Sequence, residues 1–184
     1  APLAVPTLSA GSAENSSPLT GRKLPPLPDS LGVAAPVAGV SGKTLLVAGG
    51  ANFPNGLPCQ GGTKVWHDTV FALAAPDAAW KAAGKLPRLL AYGVSVTYGQ
   101  GVVCAGGSDA QRHYSDVFVM RLVGEELQFE NLPPLPRPLA NGAGALLGNT
   151  LYVAGGSETP EATNALQDFW ALDLAAAQPQ WREL

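Results

Sequence analysis

Two arginines each follow a Leu-Pro pair, Arg88 in Leu86-Pro87-Arg88 and Arg137 in Leu135-Pro136-Arg137. A guanidinium presents a planar fork of donors that matches a carboxylate, so arginines at equivalent places on one rim would clamp an anion. The competing duty is structural, with both arginines donating to loop carbonyls. Arg112-His113-Tyr114 adds a third guanidinium beside an imidazole, the side chain that titrates near neutrality and relays protons, unless the cluster is only solvated. Glu158 and Glu161 supply carboxylates suited to a general base, although exposed loop glutamates usually just face water. Asn52 and Phe53 share a long loop with Lys64, and loops on a rigid β scaffold often carry binding residues. Trp66-His67-Asp68 has the look of a catalytic group, yet Asp116 and Asp168 recur at the apparent position of Asp68, which favours a repeated structural hydrogen bond. His67 would then fall opposite Ser115 and Gln167, shares no duty with them, and stays a site candidate.

These side chains need a frame, and the frame repeats. The run Leu45-Leu46-Val47-Ala48-Gly49-Gly50 returns as Val102-Val103-Cys104-Ala105-Gly106-Gly107 and as Leu151-Tyr152-Val153-Ala154-Gly155-Gly156. Uninterrupted apolar runs of this length read as strands covered on both faces. The glycine pairs begin at 49, 106 and 155, giving steps of 106 − 49 = 57 and 155 − 106 = 49. A period of about 50 residues built from short strands predicts an all-β, kelch-type β-propeller. Each blade takes four strands. Blade one, 32–85, uses Val33–Val40, Leu45–Ala48, Thr69–Leu73 and about Ala79–Ala82. Blade two, 86–134, uses Tyr92–Thr97, Val102–Ala105, Asp116–Arg121 and Glu126–Glu130. Blade three, 135–184, uses Ala143–Leu147, Leu151–Ala154, Asp168–Asp173 and Gln180–Glu183. Trp80, Phe129 and Trp181 recur in the fourth strands as large plugs between blades.

Residues 19–28 and 127–136 share a leucine followed by LPPLP at a constant offset of 108. The earlier copy, within 19–31, therefore reads as an outer closing strand and connection with no blade of its own before it. Three four-stranded blades and one extra strand close no ring, since propellers close with about 4–8 blades. The expectation is about half of a larger ring, completed by a complementary half or by self-association. Residues 1–18, small, polar and Pro-rich, read as a disordered or processed segment.

Composition narrows the function classes. The 184 residues are 46% hydrophobic and 14% charged, with 22 Gly and 17 Pro and a formal net charge of −3, which suits short strands and tight turns. There is no basic run, so a nucleic-acid partner is not expected, and no apolar stretch of the ~18–20 residues that would cross a membrane. Cys59 and Cys104 form no CxxC or metal-ligand pattern, and Cys104 sits in a predicted core strand, which argues against a disulfide. GxSxG, HExxH and phosphate-loop signatures are missing, so hydrolase and nucleotide readings find no support.

One stretch is more specific than the repeat. GVAAPVAGVSGKTLLVAGGANFPNG (32–56), KVWHDTVFAL (64–73) and LPRLLAYGVSV (86–96) resemble the cyclically permuted mutarotases, the kelch-type propeller family of bacterial N-acetylneuraminate epimerase. The likeness is close over blades one and two and generic over blade three. It implies a six-bladed ring that interconverts anomers of sialic acid (N-acetylneuraminate) or a related sugar, a small-molecule substrate, and a permuted outer strand at the N-terminus. Such an isomerase takes a proton from the anomeric hydroxyl and returns one to the ring oxygen, with a cationic clamp for the acid, and the resemblance implies neither a metal nor an organic cofactor. The resemblance also implies a Glu and an Arg in a GE-xxxx-R arrangement, which this chain does not contain. Glu158 is the nearest echo, and neither Thr163 nor Asn164, five and six residues after it, is an Arg. On these grounds Glu158 and His113 are the catalytic candidates, and Arg88, Arg137, Asn52, Phe53, Arg112 and His67 the substrate-binding candidates. The alternative is a kelch module that presents loops to a protein partner without catalysis. A periplasmic or secreted setting is expected, with the cytoplasm as the second choice.

Overall fold

A computed structural model describes residues 21–184. Its strands are β1 (Val37–Ser41), β2 (Thr44–Ala48), β3 (Ala51–Asn52), β4 (Val65–Trp66), β5 (Thr69–Leu73), β6 (Lys81–Lys85), β7 (Val94–Tyr98), β8 (Gly101–Ala105), β9 (Val117–Val123), β10 (Glu126–Leu132), β11 (Ala143–Leu147), β12 (Thr150–Ala154), β13 (Phe169–Asp173) and β14 (Trp181–Glu183). They form three antiparallel four-stranded sheets, β1-β2-β5-β6, β7-β8-β9-β10 and β11-β12-β13-β14, plus the small ribbon β3-β4. These are three blades of a kelch-type propeller, each a meander from an inner to an outer strand.

The apolar runs are buried for the reason their pattern suggests. All of β8 is buried. Val102 and Cys104 join Leu46, Val70 and Met120 in the core between blades one and two. Val103 and Ala105 point the other way, into a core with Val153, Trp170 and Leu172 between blades two and three. The period of two along a strand thus feeds two cores from one element. The inner strands meet through side chains. Thr97 Oγ1 accepts from Val40 N at 2.9 Å and Ser95 Oγ from Ala38 N at 3.1 Å, so the free edge of β1 keeps its partners.

The blades are stitched by the segments that lead into them. Leu90 N donates to His67 O at 3.1 Å and Leu139 N to Tyr114 O at 3.0 Å, while Gly50 N and Gly107 N donate back to Leu90 O and Leu139 O. This approach explains the glycine pairs. A Cβ on Gly49 would lie 2.2 Å from Leu90 O, and one on Gly106 would lie 2.3 Å from Leu139 O. Gly155, in the last blade, faces only Leu166 O at 3.8 Å.

The early LPPLP segment occupies the same place as the later one. Trp80 Nε1 donates to Pro25 O and Trp181 Nε1 to Pro133 O, each at 2.9 Å. Leu31 stands where Leu90 and Leu139 stand, yet it is 60% exposed against 2% and 0%, because no earlier blade covers it among the described residues. The expected closing strand at 19–23 lies partly outside the described residues, and Gly21–Lys23 pair with no strand. The expected disorder of 1–18 also lies outside them.

Three expectations need adjustment. The inner strand of blade one begins at Val37, since Ala35 takes φ +48° and Pro36 follows it. Its outer strand is Lys81–Lys85, displaced past Trp80, whose indole is held by Pro25, and broken by a register shift at Val70/Phe71. Trp80, Phe129 and Trp181 are only partly covered, with Trp181 packed against the core between blades two and three and Phe129 against Phe118 of its own blade. Both cysteines are free, Cys59 exposed and Cys104 buried.

Candidate functional site

The ends of β2, β8 and β12 and the lead-ins to β7 and β11 lie at one end of the blades, because antiparallel strands alternate direction. All eight candidate residues sit in these connections. The structure gathers them into two groups.

The first group lines a cleft of about 630 Å³ between blades two and three, with Arg88, Arg112, His113, Tyr114, Glu158 and Glu161 on its walls. Arg88 is already engaged. Its Nη1 and Nη2 fork onto Asp116 at 3.0 and 3.3 Å, and its guanidinium lies 4.5 Å from the centre of the Tyr114 ring. Arg112 leans on the same ring at 5.1 Å and faces solvent. The Tyr114 hydroxyl donates to one carboxylate oxygen of Asp109, and the other accepts from the backbone of Gln111 and Arg112 at 2.8 and 3.0 Å. Burial alone would raise the Asp109 carboxyl, but the Tyr114 hydroxyl, the two backbone donors and the Arg112 charge together hold it below its ordinary value.

His113 is nearly buried, and its Nδ1 lies 2.9 Å from the carbonyl oxygen of Ser157 in the next blade. A carbonyl only accepts, so Nδ1 carries the proton, and in the neutral ring Nε2 keeps a bare lone pair. Glu158 lies beside it in the lining, with its carboxylate 3.7 Å from Arg137 Nη1. Arg137 is shared, since its Nε is 3.3 Å from Asp168. Glu158 therefore has an arginine, but one supplied from upstream by the blade connection. Spacing along the chain could not show it.

The second group sits on the β3-β4 ribbon of blade one. Asn52 Nδ2 donates to Gly32 O at 2.9 Å, which turns its Oδ1 toward His67 Nε2 at 2.9 Å. His67 thus donates from Nε2, and Nδ1 is its free lone pair in the neutral form. Phe53 lies beside Lys64, whose ammonium is 5.6 Å from the Phe53 ring, 5.4 Å from Trp66 and 4.9 Å from Tyr92.

The register corrects the repeat as read from sequence. Ala48, Ala105 and Ala154, each before a glycine pair, stand opposite Val70, Val117 and Phe169. The residue equivalent to Asp116 and Asp168 is therefore Thr69, and Asp68 falls opposite Ser115 and Gln167. His67 corresponds to Tyr114 and Leu166, whose backbone N–H groups make the same bond to the second glycine. A one-residue offset turns a strand's side chain to the other face. Asp68 accordingly pairs with Lys85 at 3.2 Å rather than with a lead-in arginine. Sequence reasoning also missed Tyr92 and the Asp109–Tyr114 pair. For Tyr92 the available signal was its alignment with Asn141, a residue tolerant of the left-handed backbone both adopt, at φ +63° and +60°.

Architecture and lead-in geometry define a kelch-type propeller. A family model described as N-acetylneuraminate epimerase matches residues 22–129, and the chain belongs to that family. A Brucella suis protein named N-acetylneuraminate epimerase is 40% identical over 121 residues, covering 59% of this chain and 31% of the relative. Proteins of the same name from Yersinia pestis and Salmonella enteritidis are 45% identical over 85 residues and 39% over 105. The match to the former covers 41% of this chain and 21% of the relative, and to the latter 50% and 27%. The chain thus spans less than a third of the length of these curated relatives. Among solved structures, that of YjhT superposes with a TM-score of 0.61 at 15% identity, covering 83% of this chain and 46% of the other, which bears on fold alone.

Proposed function

We propose that this chain forms part of a propeller that interconverts the anomers of N-acetylneuraminate or a closely related sugar by general acid/base ring opening. The observation that carries the reading is the family match over blades one and two, joined to a cleft whose walls hold an imidazole with an open Nε2. His113 is the base for the anomeric hydroxyl, and its proton can return to the ring oxygen from the same nitrogen. Glu158, held by Arg137, is the second proton-handling group. Arg88 and Arg137 act as positioning residues, because each is committed to an aspartate. Asn52, Phe53, His67 and Arg112 supply sugar contacts.

The open faces of blades one and three, where Leu31 and Leu147 lie exposed, are assigned to a complementary set of blades or to a second copy. A periplasmic or secreted location goes with this reading, and cell fractionation measures it. No helix among the described residues is long and apolar enough to cross a membrane. The chemical test is one-dimensional NMR of freshly dissolved N-acetylneuraminate. Anomer exchange should exceed that in buffer and fall by roughly 10²-fold in His113→Ala. Exchange at the buffer rate in the assembled protein removes the proposal.

A further inference from the structure

Lys64 takes no part in the chemistry above, and its surroundings are unusual for a surface lysine. Residues Ala51 and Asn52 pair with Trp66 and Val65, which sets Phe53 across the ribbon from Lys64 and puts Lys64 and Trp66 on one face. Tyr92 reaches the same ammonium from the lead-in of blade two. It does so from a left-handed backbone that a bulky residue adopts only under constraint. That constraint is visible: Tyr92 N donates to Ala35 O, and Asn141 N donates to Tyr92 O, a chain of bonds running from blade to blade just before the innermost strands. The three aromatic rings therefore collect around the ammonium at the axial rim of the propeller.

The three rings, rather than its charge, set Lys64 apart. Arg88, Arg121, Arg137 and Lys85 each pair with a carboxylate, whereas Lys64, like Arg22, Lys23, Lys43, Lys81, Arg112 and Arg182, makes no ion pair among the described residues. Ring faces attract a cation but accept no strong hydrogen bond, so the three ammonium donors stay available. The Trp66 indole N–H is buried and has no acceptor among the described residues, a second unspent donor in the same group. A half-buried cation with unspent donors, ringed by aromatic faces, suits a ligand that sets a carboxylate beside the C–H face of a sugar ring.

We propose that Lys64, within the ring of Phe53, Trp66 and Tyr92, is the subsite that takes the carboxylate of an acidic sugar. This rests on the acidic-sugar reading above. It assigns the acid to Lys64 rather than to Arg112, whose guanidinium faces solvent and stacks on Tyr114.

Calorimetric titration with N-acetylneuraminate and with its methyl ester, which lacks the charge, tests the assignment. Wild type should bind the acid more tightly than the ester. Lys64→Met keeps the aliphatic stem, and thermal unfolding checks that the variant folds. It should lose about tenfold or more of the affinity for the acid while binding the ester as wild type does. Lys64→Arg should recover part of the preference. If Lys64→Met weakens acid and ester equally or neither, or if Arg112→Gln alone abolishes the preference, the Lys64 assignment falls and the sugar reading stands. Binding of neither ligand by wild type overturns both.

Discussion

At the scale of single residues, what matters is which donors and acceptors are already spent. Arg88 gives its fork to Asp116, whereas His113 gives only Nδ1 to Ser157 and keeps Nε2. Asp109 spends its carboxylate on Tyr114 and two backbone donors, and its folded pKa lies below the ordinary value. A depressed carboxyl contributes stability that is fully present above its unfolded pKa of about 3.9 and is lost as pH falls through the folded value. Chemical denaturation at a series of pH values should show this acid-side loss, and Tyr114→Phe, which removes one donor, should shrink it. The cysteines differ in the same concrete way. Burial pushes the Cys104 thiol up, so it holds little reactive thiolate, while Cys59 is exposed. A thiol reagent should label one cysteine per chain in the native protein and two after denaturation. Two rapid equivalents in the native state would contradict the buried strand.

At the scale of elements, the glycine pairs and the lead-in segments are two halves of one joint. Gly106 and Gly155 have the same left-handed backbone, at φ +66° and +64°. A Cβ would lie 2.3 Å from a carbonyl oxygen at Gly106 but 3.8 Å from one, an ordinary contact, at Gly155. Gly106→Ala should therefore destabilise the chain by about 1–3 kcal/mol more than Gly155→Ala in urea unfolding, because overpacking adds to the backbone strain common to both. Equal losses would mean that the joint is not what the glycine serves. The strand β8, with side chains in two cores, ties blade two to both of its neighbours, and the flanking connections carry the cleft.

At the scale of the molecule, blade two is covered on both faces and its neighbours on one. Blade three turns a groove of Ala143, Ala145, Leu147, Tyr152, Ala154 and Phe169 outward. Leu147 is 74% exposed there. Apolar surface of this kind associates with whatever can cover it. Sedimentation velocity should show mass rising with concentration, and Leu147→Lys should reduce the effect. A single monomeric species throughout would leave the open faces without the role assigned to them.

Blade order and most strand limits were legible from the sequence, because a strand covered on both faces must be apolar throughout and a close backbone crossing admits only glycine. Leu45–Ala48, Val102–Ala105 and Leu151–Ala154 show this directly. The candidate side chains were legible as types, but their partners were not. Asp68 matched Asp116 and Asp168 by eye, yet the strand register gives that place to Thr69, since only cross-strand pairing fixes which face a side chain takes. Arg137 reaches Glu158, and Tyr92 reaches Lys64, across distances in sequence that no local pattern encodes. The chain alone thus determined the repeating blade; the packing of one blade on the next decided which charges meet, because those contacts exist only once the lead-in segments have docked.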